Sequence, residues 1–155
     1  MTISALITSL LTDYGYSSLF ITSFLSSSLI PMGSETIVAA MVLVPGANFF
    51  KIIFVATLGN FLGSCTTYYI GYKGTNHILY KYLAVDPEKI DKANRSFKKY
   101  GFWLLLLTWV PVVGDAFVFA AGSVRYSPWR FAVLTIIGKL FRYLFIGIAM
   151  NVIIL

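Results

Sequence analysis

Polar positions fall in a few places along this chain and leave long apolar runs between them. Residues 52–72 hold no charged side chain over 21 positions. At about 1.5 Å per residue, a helix of that length crosses the roughly 30 Å hydrocarbon layer of a bilayer. Small residues Gly59, Gly63, Ser64 and Gly71 within it suit close helix contact. A second long apolar stretch covers residues 129–155 and is interrupted by Lys139 and Arg142. Tyr68, Tyr69 and Tyr72 at the end of the first span, with Tyr126 and Trp129 before the second, read as an interfacial aromatic belt.

Two further apolar stretches are broken near their middles. Residues 16–44 are interrupted by Ser26-Ser27-Ser28 and by Pro31-Met32-Gly33-Ser34-Glu35. Residues 102–121 are interrupted by Pro111-Val112-Val113-Gly114-Asp115. In each, a carboxylate follows a proline by four residues with a glycine between. The arms beside the second break are each about ten residues, too short to cross alone. Such a pair enters the membrane and returns on the same side. Full crossing by residues 16–30 and 34–50 is the alternative for the first.

The two halves correspond. Pro31 and Pro111 stand 80 positions apart, as do Glu35 and Asp115, while Lys51 and Arg130, and Gly59 and Gly138, stand 79 apart. Tyr14-Gly15-Tyr16 matches Tyr100-Gly101-Phe102 with a six-residue difference in length. The expected fold is therefore all-α and membrane-embedded. It is an inverted repeat of two units, each a broken re-entrant hairpin followed by a transmembrane helix. Repeat 1 covers about 14–72 and repeat 2 about 101–150 of a single membrane domain. A hairpin adds no net crossing, so the two halves run in opposite directions. Inverted repeats with interrupted helices are a transporter pattern.

Composition agrees. Of 155 residues, 58% are apolar and 12% charged, against about 45–50% and 25% in soluble domains. That excludes a soluble enzyme, a disordered chain and a nucleic-acid-binding domain, despite a net charge of +6. A single cysteine, Cys65, excludes an internal disulfide, and with a single histidine, His77, no metal or other cofactor is expected. Cys65 reads as a helix-packing residue and His77 as an interfacial loop residue; Trp103 and Trp109 read as packing or interface residues.

The basic excess is local. Residues 73–99 hold Lys73, Lys81, Lys89, Lys92, Arg95, Lys98 and Lys99 against Asp86, Glu88 and Asp91, a net +4. A basic loop between apolar spans stays cytoplasmic. The first 50 residues hold no Lys or Arg, so the N-terminus reads as retained and not as a cleaved signal. Within the loop, Asp86-Pro87-Glu88 reads as an N-cap, a proline at the first helical position and an acid in the first turn. Ile90, Ala93, Phe97 and Tyr100 follow at helical spacing. The connector of about 73–100 is thus expected to hold an amphipathic helix, either on the cytoplasmic lipid surface or as a solvated link.

Four ionisable residues remain at membrane depth: Glu35, Asp115, Lys139 and Arg142. Each costs about 2.5–3.5 kcal/mol at a helix centre on insertion scales, so such residues face protein or a water-filled cavity. One reading is that the acids and bases pair and hold the bundle together. The other is a substrate and proton site, because the acids stand at backbone breaks. Ser34 and either Gly114 or Asp115 are expected to start the second arm of each hairpin. Helix N-termini attract anions. Lys139 and Arg142, three apart on one helix face, add positive charge. Protonating Glu35 and Asp115 removes their repulsion of an anion, which couples proton uptake to anion binding. Asn60 lines the same cavity or makes an interhelical hydrogen bond. Pro31, Gly33 and Pro111 set the breaks.

At these motifs the sequence resembles the DedA superfamily, also called the SNARE-associated or VTT-domain family, and within it the small YqaA-type proteins. The segments that carry the resemblance are Thr22-Ser23-Phe24-Leu25-Ser26 through Glu35, Ala56-Thr57-Leu58-Gly59-Asn60 with Gly63, and Trp109 through Asp115. Ala121-Gly122, Gly138-Lys139 and Arg142-Tyr143 complete them. The resemblance covers about residues 14–146. It implies two facing re-entrant hairpins, intramembrane acids with Glu35 as the first-hairpin glutamate, and flipping or scrambling of lipids. Polyprenyl-phosphate carriers such as undecaprenyl phosphate, and phospholipids, are the implied substrates, with proton coupling. Typical members carry arginine three residues before and after the second-hairpin proline, where this chain has Thr108 and Gly114; Lys139 and Arg142 are the candidates to supply that charge. The expected function is a proton-coupled flippase or scramblase of an anionic lipid in a bacterial inner membrane, not an enzyme, with a homo-oligomer left open. A non-transporting scaffold or oligomer subunit with paired buried charges, and a small-ion exporter, are the alternatives.

Overall fold

A computed structural model describes residues 14–27, 34–74, 87–110 and 113–154. Pro31, Gly33, His77, Asp86 and Pro111 lie outside the described residues, as do the readings placed on them. Six α-helices are described, and all described secondary structure is helical: α1 (Gly15–Ser26), α2 (Ser34–Val42), α3 (Phe49–Lys73), α4 (Pro87–Leu106), α5 (Val113–Ser123) and α6 (Pro128–Ile154). A 3-10 turn, Leu107–Trp109, follows α4.

The elements follow local chemistry. The Asn48 side chain accepts from the Lys51 amide at 3.0 Å and caps α3. Pro87 and Pro128 each open a helix at the position where a missing N–H is harmless. Val110 is extended at φ −74°, ψ 125°, as the residue before a proline prefers. The helix α4 runs unbroken through Gly101 to Leu106, so the basic connector helix and the apolar stretch that follows it are one element. Gly101 is needed there by packing, since a Cβ on it would stand 2.9 Å from the Phe97 ring.

Among the described residues, two helices are long and apolar enough to cross a membrane: Phe49–Lys73, of mean hydropathy 1.4, and Pro128–Met150, of mean hydropathy 1.8. The distribution of polarity around α6 is inside-out. Its buried face carries Thr135, Lys139 and Arg142, while Ile136, Ile137, Leu140, Phe141, Phe145 and Ile148 are exposed. Water would penalise that arrangement, whereas a bilayer favours it.

The chain divides into two compact units. The first comprises residues 1–63 with 139–155, and the second residues 64–138. Each long helix therefore contributes one part to each unit.

In the first unit, α1 and α2 are antiparallel arms, with Gly15 at the start of one against Met41 at the end of the other. Leu19, Val38, Met41, Ile52, Ile53, Ala56 and Tyr143 form the core. Gly59 and Gly63 bring α3 onto the backbone of α1. A Cβ on Gly59 would lie 2.6 Å from the Phe20 carbonyl oxygen, and one on Gly63 would collide with that of Phe24. Small residues four apart are the usual device for such contact in membranes.

The second unit is built around Tyr68, Phe97, Leu105, Val118, Ala121, Phe131 and Leu134. Tyr68 stacks on Phe131 at 4.3 Å. Cys65 packs partly buried against this core, as a helix-packing residue does. Gly138 brings α6 against the turn after α4, since a Cβ there would meet Thr108 Oγ1 at 2.6 Å.

Candidate functional site

The first unit holds five of the residues singled out in the sequence: Ser34, Glu35, Asn60, Lys139 and Arg142. The described part of α2 begins at Ser34, and Glu35 stands in its first turn. A carboxylate there is favoured by the free amides of the helix start. Lys139, Arg142 and Tyr143 lie at helical spacing on the buried face of α6.

The Glu35 carboxylate forms an ion pair with the Arg142 guanidinium through Oε1 and Nη2. The two are unequally covered: the Arg142 side chain is 9% exposed and that of Glu35 is 30% exposed. Beside them, Ser34 Oγ and the Tyr143 hydroxyl share a hydrogen bond of 2.9 Å. Tyr143 is fully buried, and Ser23 and Asn60 also turn toward its hydroxyl. Lys139, 1% exposed, donates from Nζ to Ser27 Oγ at 2.9 Å. Consecutive residues of α2 thus meet consecutive residues of α6, one contact neutral and one charged.

This arrangement has three chemical capacities. The guanidinium has planar donors suited to a phosphate or carboxylate. The carboxylate that now occupies it is partly open and able to take a proton. The surrounding hydroxyls and the Asn60 amide offer neutral donors and acceptors at 0–2% exposure.

Asp115 and Gly114 belong to the second unit. The described part of α5 begins at Val113, and Asp115 stands in its first turn as Glu35 does in α2. Gly114 is buried against the Thr108 backbone, where a Cβ would lie 2.5 Å from the carbonyl oxygen. Thr108 is itself buried and donates to the Leu105 carbonyl at 2.7 Å. Among the described residues no group of three His, Cys, Asp or Glu side chains is placed to hold a metal.

Tyr143, Ser27 and Ser23 were not singled out as site residues in the sequence. Tyr143 stands four residues after Lys139 on the same helix face, and that spacing was the available signal. The serines carried no comparable signal beyond lying just before the first break.

The VTT domain matches residues 29–152 of the chain. The inner membrane protein YqaA of Escherichia coli is 35% identical over 132 residues, covering 85% of this chain and 88% of that one. An uncharacterized protein of Haemophilus influenzae is 37% identical over 134 residues, covering 81% and 80%. Undecaprenyl phosphate transporter A of Staphylococcus aureus is more distant, 28% identical over 144 residues, covering 86% and 71%. No solved structure matches. The matched domain, the inner-membrane relatives and the two membrane-crossing helices lead to one conclusion: the chain belongs to the VTT-domain (DedA) family and is a multi-pass inner-membrane protein.

Proposed function

We propose that this protein moves an anionic lipid across the membrane with proton coupling, and that Glu35 and Arg142 are the coupling pair. The observation that carries the reading is the partly open carboxylate holding a nearly buried guanidinium at the start of α2. While Glu35 is ionised, it occupies Arg142 and repels an incoming anion. Protonation removes both obstacles at once. Arg142, the amides at the start of α2 and Lys139 then accept a phosphate headgroup. The distant relation to a transporter of undecaprenyl phosphate supports a polyprenyl phosphate or a phospholipid as cargo.

Two short arms, Gly15–Ser26 and Ser34–Val42, support a re-entrant first hairpin, because 12 and 9 helical residues extend only about 18 and 14 Å. The inverted repeat draws support from matched contacts. Gly59 of α3 sits against the first arm of the first hairpin, and Gly138, its counterpart 79 residues on, sits beside Thr108 at the end of the second hairpin's first arm. With the connector cytoplasmic, α3 runs inward and α6 outward. Asp115 is the counterpart of Glu35 and is assigned a second protonation step.

The ion pair itself favours a second reading, a scaffold whose buried charges only hold helices together. One experiment separates the two. Purified protein in vesicles is given a fluorescent polyprenyl phosphate or phosphatidylglycerol, and transbilayer movement is followed by chemical quenching. The transport reading expects movement that is lost in Glu35→Leu/Arg142→Met while folding is kept. Absence of movement by the unaltered protein, or unchanged movement by the double variant, contradicts it.

A further inference from the structure

The turn between α5 and α6 is held more firmly than a simple connection requires. The Arg125 amide donates to the Gly122 carbonyl and the Tyr126 amide to the Ala121 carbonyl, each at 2.9 Å. This is the double hydrogen bond that closes a helix end, and its left-handed residue is usually glycine. Here it is Arg125, at φ 52°. That conformation is sterically disfavoured for a non-glycine residue, and strain of this kind concentrates at binding sites. The Arg125 guanidinium lies 5.2 Å over the Tyr72 ring. The Tyr68 hydroxyl donates to the Tyr126 carbonyl, and Phe97 packs edge-on against the Tyr126 ring at 5.6 Å.

This fixed turn forms the rim of a cavity of about 310 Å³ lined by Phe102, Tyr126, Trp129, Arg130, Val133 and Leu134. That lies at the lower end of the volumes that hold a small ligand, about 300–1,000 Å³. Its walls are aromatic and aliphatic, and its one charged lining residue is Arg130. The Arg130 side chain is exposed and forms no ion pair or hydrogen bond with the described residues. It sits in the first turn of α6, where the helix dipole disfavours a cation. An anion held there would offset both the dipole and the unpaired guanidinium. Trp and Tyr beside a basic residue are the side chains that prefer the headgroup level of a bilayer.

We infer that this cavity is a docking site for one membrane lipid with an anionic phosphate headgroup, with its phosphate on Arg130 and the α6 amides and its first chain carbons along Phe102, Val133 and Leu134. The site lies within the second unit and is separate from the Glu35–Arg142 pair of the first. It goes beyond the transport reading and does not depend on it, because lipid held here is detected with no movement across the bilayer.

Trp129 lines the cavity and serves as the probe. Protein with Trp103→Phe and Trp109→Phe is placed in vesicles of zwitterionic lipid containing a minor share of brominated phosphatidylglycerol or brominated phosphatidylcholine. Quenching of Trp129 is compared at equal mole fraction. The proposal expects the anionic lipid to be preferred by about fivefold, the effect of one basic side chain at an anionic surface. Arg130→Gln is expected to abolish the preference, and Val133→Trp, read by native mass spectrometry because it adds a fluorophore, to reduce retained phosphatidylglycerol. Equal quenching by the two lipids, a preference that survives Arg130→Gln, or reversal of the preference by millimolar inorganic phosphate would each overturn it.

Discussion

Ser34 and Tyr143 share a buried hydrogen bond of 2.9 Å one residue away from the Glu35–Arg142 ion pair, so the start of α2 is tied to α6 by a neutral contact beside a charged one. The neutral contact is expected to hold the two helices when the charged one opens. Tyr143→Phe leaves the Ser34 hydroxyl buried without this partner, which costs about 1–3 kcal/mol. Adding Ser34→Ala removes the orphaned group and is expected to recover part of that loss. Thermal unfolding of the three variants in detergent checks the non-additivity; additive losses would show that the two hydroxyls act independently.

The ion pair has a different signature. Arg142→Met alone leaves the Glu35 carboxylate facing a largely buried partner site, and breaking a buried pair from one side costs about 3–5 kcal/mol. Removing both partners with Glu35→Leu/Arg142→Met is expected to return stability to within about 1–2 kcal/mol of the starting protein, since apolar replacements of buried pairs are often neutral. The 30% exposure of Glu35 places the single-variant loss at the lower end of that range. Unfolding midpoints of the singles and the double give the comparison.

Much of this architecture was legible in the sequence, and the illegible parts have physical reasons. The spans α3 and α6 were readable because charge is costly in hydrocarbon, so 21 uncharged positions are a strong signal. The ionisable side chains Glu35, Lys139 and Arg142 stood out for the same reason. That Arg142, and not Lys139, meets Glu35 was not legible. It depends on how α6 is rotated against α2, which packing of Leu19, Val38, Met41 and Tyr143 decides across more than a hundred residues of chain. Tyr143 was hidden because an aromatic in an apolar run resembles its lipid-facing neighbours Phe141 and Phe145. The unbroken course of α4 through Gly101 was hidden because a glycine reads as a boundary unless the ring it accommodates is known.

The glycines give a paired prediction. Gly63→Ala places a Cβ against the Phe24 carbonyl oxygen, and backbone cannot yield as a flexible side chain would. Separating α3 from α1 is expected to cost about 1–3 kcal/mol, as other overpacked sites do. Gly46 has open space around it but a φ of +80°. Gly46→Ala is therefore expected to cost about 1–2 kcal/mol through backbone sterics alone, and Gly46→Asn less, because asparagine tolerates that conformation. Only the Gly63 variant is expected to alter crosslinking between cysteines placed on α1 and α3. Equal effects of both on crosslinking would refute the distinction.

The central claim is that protonation of Glu35 releases Arg142 for an anionic headgroup. Its most direct test is the rate of transbilayer movement of a polyprenyl phosphate in vesicles containing this protein, followed against pH for the unaltered chain and for Glu35→Gln. Glutamine is a neutral stand-in for the protonated acid. The unaltered protein is expected to speed up as pH falls, by at most about tenfold per pH unit for one proton. Glu35→Gln is expected to run faster than the unaltered protein near neutral pH and to show a distinctly shallower rise as pH falls. A Glu35→Gln profile that rises with falling pH just as the unaltered protein does would contradict the claim.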